Sequence, residues 1–212
     1  MSQLLIIGAS GHGKVVADTA EAVGKWSQLT FLDDDYANLN GTLRWPVVGG
    51  SRDFPGMAGT CDSAVVAIGH AQTRLGFIDA LTSSCFVLPV LCHPFTAVSS
   101  SAVIGEGTVI FAGAVIQADA RLGRGVIVNT QAGVDHDCVL GDGVHVCPGA
   151  HLAGNVIVGD GSWLGIGCAI KQGARVGRGV TVGAGAVVVN DVDDGLTVVG
   201  CPARPVRATE SK

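Results

Sequence analysis

Two groups of residues in this chain have the types and the spacing to do chemistry. The first is Asp135-His136-Asp137, followed by His145 and His151. An imidazole changes charge near neutral pH, so His136 can take the proton of an attacking nucleophile while Asp137 or Asp135 orients the ring. Direct transfer of an acyl group from a thioester to an amine needs such a base, typically for a gain of ~10²–10⁴-fold, and needs no serine or cysteine nucleophile. The oxyanion formed on the way can be held by the backbone N–H of Gly154 or by the ring of His145.

The second group is the turn GASGHGK, Gly8 to Lys14. Gly8, Gly13 and Lys14 fit a G-x-x-x-x-G-K frame, but Val15 stands where Ser or Thr would hold magnesium. Glycines at 8, 11 and 13 also miss the G-x-G-x-x-G spacing. What remains is the physics both motifs share. Glycine lets backbone approach a phosphate, and a helix N-terminus offers unpaired N–H groups and a partial positive charge. Asp33 lies 20 residues after Gly13, at a strand end where an acid meets ribose hydroxyls or base N–H donors.

Two architectures must position these groups. In residues 1–84, LLIIG (4–8), LTFLDDD (29–35) and SAVVAIG (63–69) read as strands. The Gly-rich turn opens a helix that ends near Gly24, and AQTRLGFIDAL continues the third strand as another helix. This is a βαβαβ mononucleotide-binding half, with a ligand expected beyond the carboxyl ends of its strands. Residues 85–97 read as a linker, 98–190 as a second domain and 191–212 as a C-terminal tail.

The second domain is a repeat. From Val98 to Val188 every sixth residue is Ile, Leu or Val, without insertion, and from Ala102 on the residue two before it is small or modest (Ala, Ser, Thr, Cys or Val). Glycine follows the aliphatic residue at 105, 123, 141, 159 and 177, where it is expected to allow a tight turn. Three six-residue units close an 18-residue triangular coil, and coils stack at roughly 4.8 Å to give about five turns in a prism about 25 Å tall. His136 and Asp137 lie off the inward register. His145 follows half a coil later, so the two histidines point away from each other and converge only if a second prism packs alongside. Gly154, 18 residues after His136, stacks over it and is expected to leave room for a slender ligand. Cys138 and Cys168 take small inward positions.

Composition closes other routes. A net charge of −5 without a basic run argues against nucleic acid or an anionic membrane as partner. MSQLLIIGASG reads as a first strand and not as a signal peptide, and no apolar run approaches the ~20 residues of a membrane span. Seven cysteines with no C-x-x-C pair read as free thiols, as in a cytoplasmic protein.

GASGHGK (8–14), FLDDD (31–35), VAIGHAQTR (66–74), residues 128–167 and VVGCPARPVR (198–207) together resemble the NeuD/PglD-type bacterial sugar acetyltransferases of the hexapeptide-repeat superfamily. The family comprises N-acetyltransferases of nucleotide-linked 4-amino sugars and sialic acid O-acetyltransferases. The resemblance implies a left-handed β-helix, a homotrimer with sites between subunits, acetyl-CoA as co-substrate and no metal. By this resemblance His136 is the general base and Asp137 stands where relatives often have Glu, one methylene longer. His145 contacts the acetyl carbonyl of the thioester from across a subunit interface. Gly8, Ser10, Gly11, His12 and Gly13 cradle the diphosphate, Asp33 and Asp34 meet the base or ribose, and Gly69 and Arg74 line the same pocket. Gly154, Ile166 and Gly183 line the pantetheine path. The acceptor is expected to be the amine of a UDP-linked 4-amino-4,6-dideoxy sugar, with O-acetylation of sialic acid as an alternative. A further alternative is a γ-carbonic-anhydrase-like metal enzyme using His136, His145 and His151.

Overall fold

The protein is described by a computed structural model covering residues 2–206. The N-terminal unit is a three-stranded parallel sheet in the order β2-β1-β3, with β1 Gln3–Ile7, β2 Gln28–Leu32 and β3 Ser63–Val66. Its strands are almost wholly buried and correspondingly aliphatic, because both faces of the sheet are covered. Helix α1, Gly11–Val23, ends on Gly24 in the left-handed conformation and packs Val16, Ala17 and Ala20 with Leu4 and Ile6. On the other face, Ile78 and Leu81 of the long helix after β3 pack with Leu5, Ile7 and Val66. The crossover from β2 to β3 holds only the one-turn helix α2, Tyr36–Leu39, and a 3₁₀ turn at Phe54–Met57. The long helix is therefore α3, Ala71–Ser83. The helix implied between β2 and β3 by a regular βαβαβ unit is replaced by a loop in which Val47 bridges Phe31.

The remainder is a parallel β-helix with three flat faces, the two-residue rungs as far as Val188 pairing with the rung 18 residues away. One face carries Val109–Ile110, Ile127–Val128, His145–Val146 and Trp163–Leu164. The second carries Val115–Ile116, Gly133–Val134, His151–Leu152 and Ala169–Ile170, and the third Arg121–Leu122, Val139–Leu140 and Ile157–Val158. The inward aliphatic column is buried along the prism.

The β-helix is longer than the strict repeat. Leu91–Cys92, within the expected linker, already pairs with Val109–Ile110, and Cys92 fills the inward slot six residues before Val98. At the other end Val176 bridges Val192 only 16 residues on, so the last turn is two residues short and the six-residue pattern stops at Val188. The coil nevertheless continues into Thr197–Val199, which Arg204–Pro205 caps antiparallel, closing that edge. About six turns result, roughly 30 Å tall at 4.8 Å each. Residues 207–212 of the expected tail lie outside the described residues.

The glycines at 105, 123, 141, 159 and 177 serve stacking, not left-handed turns. None has positive φ, and a Cβ on Gly105 would stand 2.5 Å from the backbone of Gly123. The left-handed turn residue comes two positions later, every six residues from Gly107 to Gly185, and is Asp119, Gln131, Asp137 or Asn155 where it is not glycine. Asp and Asn tolerate that conformation best among residues with a Cβ.

Candidate active site

The N-terminal unit sits on the first face of the prism. Leu91, Val109, Phe111 and Ile127 join Leu4, Ile6 and Val16 in one apolar core. Leu75 and Ile78 of α3 rest on the turns at Gly107, Gly125 and Gly143, where only glycine leaves room for them. The apolar seal ends at the rung of His145, and above it Trp163 is 40% exposed. The junction of the β1 and β3 carboxyl ends with this face is the crevice where a strand-end ligand is expected. A Cβ on Gly69 would lie 3.8 Å from the Trp163 ring.

The Gly-rich turn lines the crevice. Gly8 is at φ 100°, and a Cβ there would meet the Ala67 carbonyl at 2.8 Å. Gly13 packs against the Gly8 carbonyl with no room for a side chain, whereas Gly11 faces open space. Ser10 precedes α1 without capping it, and no acid lies in the first turn. The first N–H groups of α1 are thus free for an anion. Asp33 accepts from Ala9 N at 2.7 Å and from Asp35 N at 2.9 Å, so its carboxylate clamps this turn. Asp34 turns one oxygen to the N–H and hydroxyl of Ser51, which hold its pKa below the usual value.

His12 and His145 meet inside the crevice, ring centroids 6.2 Å apart. Burial, reinforced by the Arg74 charge, lowers His12 to about 4, and burial with the charges of His12 and Arg74 lowers His145 to about 3. Both are neutral at physiological pH. Asn129 fixes the tautomer of His145. Its Oδ1 accepts from Thr130 N at 2.8 Å, which leaves Nδ2 to donate to His145 Nε2 at 3.2 Å. His145 Nδ1 therefore carries the proton, and it is buried with no protein partner, as is His12 Nε2. A buried N–H without an acceptor is held ready for a ligand oxygen.

His136 stands elsewhere, at the corner between the second and third faces, opposite the face that carries the crevice. Its Nδ1 bonds Asp137 Oδ2 at 2.8 Å, an interaction that raises its pKa, and its backbone N–H bonds Asp135. Asp137 holds a left-handed φ of 59°. Nε2 has no protein partner among the described residues, and the ring is half exposed. A Cβ on Gly154 would lie 2.5 Å from Cε1 and Nε2 of His136, so the space over Gly154 belongs to the imidazole itself and not to a ligand. Beside this corner, on the second face, a groove of about 420 Å³ runs past Val115, Gly133, Asp135 and His151.

With this geometry fixed, comparison with known proteins is informative. The PglD N-terminal domain family matches residues 3–81. The acetyltransferase domain of PglB from Neisseria gonorrhoeae, solved with acetyl coenzyme A, is 46% identical, over 96% of this chain and 98% of that one, with a TM-score of 0.92. The chain belongs to the PglD-type sugar acetyltransferases. PerB from Caulobacter crescentus, solved with CoA and GDP-perosamine, is 36% identical over 97% of this chain and 98% of that one, also at a TM-score of 0.92. The UDP-N-acetylbacillosamine N-acetyltransferase of Bacillus subtilis is 35% identical over 114 residues, which span 53% of this chain and 52% of the relative. The β-helix is left-handed, the form these neighbours share.

Among the residues singled out in this family member, Gly8, Ser10, Gly11, His12, Gly13, Asp33, Asp34 and Gly69 gather at the carboxyl ends of the strands, and His145 joins them from the prism. Arg74 does not reach into the crevice as an exposed donor. It is 1% exposed, and its fork is spent on carbonyls of Ile68, Gly69, Gly125 and Gly143. Gly154 shares a corner with His136, but Ile166 and Gly183 lie on the next corner, across the second face. A Cβ on Gly183 would press on Val199 at 2.7 Å, so stacking explains that glycine. The metal arrangement is not assembled within the chain. His136, His145 and His151 occupy a corner and two different faces, and no metal-holding cluster exists among the described residues. Sequence reasoning missed Asn129 and Trp163. Both sit next to His145 in the folded coil, and Trp163 is legible as the residue one turn above it.

Proposed function

We propose that this protein transfers acetyl from acetyl-CoA to the amino group of a nucleotide-linked 4-amino-4,6-dideoxy sugar, as a trimer in the cytoplasm. The observation that carries the reading is the His136–Asp137 pair, with a free Nε2, on the same molecule as a phosphate-type turn facing a proton-bearing His145 Nδ1. The amine nitrogen attacks the thioester carbonyl and gives its proton to His136 Nε2, while Asp137 supports the imidazolium. Collapse of the tetrahedral intermediate expels the coenzyme A sulfur, which leaves as the thiol after taking that proton back. A neutral donor such as His145 Nδ1–H suits the oxyanion.

His136 and the crevice lie on opposite sides of one prism, so one chain cannot bring them to a single acceptor. A second copy must contribute one of them, which supports sites between subunits. The groove beside His136 suits a pantetheine arm. UDP is favoured because Ser51 occupies one oxygen of Asp34. The other can accept the single imide N–H of uracil, whereas guanine presents two donors. The relative from Bacillus subtilis is named for a UDP-linked sugar.

The test is incubation with acetyl-CoA and UDP-, GDP- or dTDP-linked 4-amino sugars, or free sialic acid, with the product's acetyl position read by NMR. An N-acetyl product from a UDP-linked amino sugar is expected. Acetylation of sialic acid alone would move the acceptor to a hydroxyl, and no product with any acceptor would overturn the proposal.

A further inference from the structure

Arg74 is a buried cation with no counter-ion among the described residues. It lies on α3, 1% exposed, and donates Nε to Gly125 O at 2.7 Å, Nη1 to Ile68 O and Gly69 O at 2.7 Å each, and Nη2 to Gly143 O at 2.6 Å. All acceptors are carbonyls, and no carboxylate pairs with it among the described residues. Burial alone lowers its pKa to about 10, which leaves it charged. Carbonyls accept from four of its five N–H groups, but nothing among the described residues balances its charge, and a buried unpaired charge is costly. The arrangement also has a direction. Gly125 and Gly143 are turns of the prism, whereas Ile68 and Gly69 form the loop after β3, which touches the Gly-rich turn through Gly8 and Ala67. By collecting the Ile68 and Gly69 carbonyls, Arg74 holds these oxygens on its guanidinium at the edge of the crevice. An anion entering there meets N–H groups and a nearby positive charge.

We propose that Arg74 is a positioning residue whose unbalanced charge is completed by the diphosphate of the substrate, acting through its field without touching the ligand. The inference rests on the reading of the crevice as a nucleotide site. It separates charge from shape. Arg74→Gln removes the charge, and Arg74→Lys keeps it while losing the fork.

The experiment is calorimetric titration of native protein, R74K and R74Q with UDP, uridine and inorganic pyrophosphate, after thermal melts confirm folding. The native protein should bind UDP at least 30-fold more tightly than uridine. R74Q should cut that preference at least tenfold while changing uridine affinity less than threefold, and R74K should keep it within about threefold of native. Pyrophosphate should follow the same order. A merely structural Arg74 would lower UDP and uridine affinity equally in both variants, and that result would overturn the proposal. Should R74Q fail to fold, R74K and the native protein decide it: equal native affinity for UDP and uridine, or loss of the preference in R74K, overturns it as well. Acetyl transfer with an unaltered UDP preference in R74Q would sink the Arg74 role alone. A charge-dependent pyrophosphate preference without acetyl transfer would instead sink the functional reading and leave Arg74 standing.

Discussion

Gly154→Ala is the most exacting perturbation of the proposed catalytic corner, because it adds one methyl group and touches one thing. The new Cβ would lie 2.5 Å from Cε1 and Nε2 of His136, where ordinary contact begins at 3.4 Å. The ring must retreat by about 1 Å, and it can do so easily, since it is half exposed and tethered only by Asp137. The backbone at Gly154 is not left-handed, so alanine fits it without strain. Stability should therefore change by under ~1 kcal/mol, or about 2–4 °C in Tm. Catalysis should suffer far more. A misplacement of 1 Å costs about 10²-fold in rate, or ~2.7 kcal/mol, a large share of the ~10²–10⁴-fold that a general base supplies. The assay is coenzyme A release under saturating acetyl-CoA, for which we expect kcat to fall ~10²-fold with KM for the nucleotide sugar unchanged. In the double variant with His136→Ala, Gly154→Ala should cost nothing further. A Gly154→Ala enzyme with native kcat, or an additive double variant, would refute the assignment of this corner to the base.

Further outcomes concern protonation. Asp137 is the main cause of the raised His136 pKa, and the base acts only when neutral, so the acid limb of kcat/KM should fall above the ordinary 6.5. Asp137→Asn should move that limb to lower pH while lowering the plateau roughly tenfold, and a limb that stays put would contradict the pairing. His12 and His145 work in the opposite sense, because their folded values of about 4 and about 3 lie below that of the unfolded chain. Their contribution is complete above about pH 6.5 and is lost as pH falls toward those values, by roughly 2 kcal/mol each at pH 5. Tm should drop by about 10 °C between pH 7 and pH 5, and His145→Gln should roughly halve the drop. An unchanged pH dependence in that variant would place His145 in solvent.

The prism was legible because its period is a backbone requirement. A residue that must point to the axis every six positions leaves a trace that no side-chain chemistry obscures. The ends were harder. Cys92 keeps the inward slot but is not aliphatic, and the two-residue deletion before Val192 breaks the count while the coil continues. The Gly105 and Gly154 columns show a different limit. Spacing revealed which glycines stack, but only folded geometry shows whether the missing Cβ makes way for a turn, a neighbouring coil or an imidazole. At the site, His136 and Asp137 were readable as adjacent residues in sequence. The crevice was less so, because His12, His145, Asn129 and Trp163 meet only when two units pack. For Arg74 the family resemblance suggested a residue lining the pocket, while its burial and four carbonyl bonds give it to the interface.

The central claim is that His136 takes the amine's proton during acetyl transfer to a nucleotide-linked sugar. The direct measurement is the rate of coenzyme A release from acetyl-CoA with a UDP-linked 4-amino sugar, native protein against His136→Ala, with equal binding of both substrates verified. The account predicts N-acetylated sugar from the native protein and a fall of at least ~10²-fold in the variant. Native turnover by His136→Ala would contradict it.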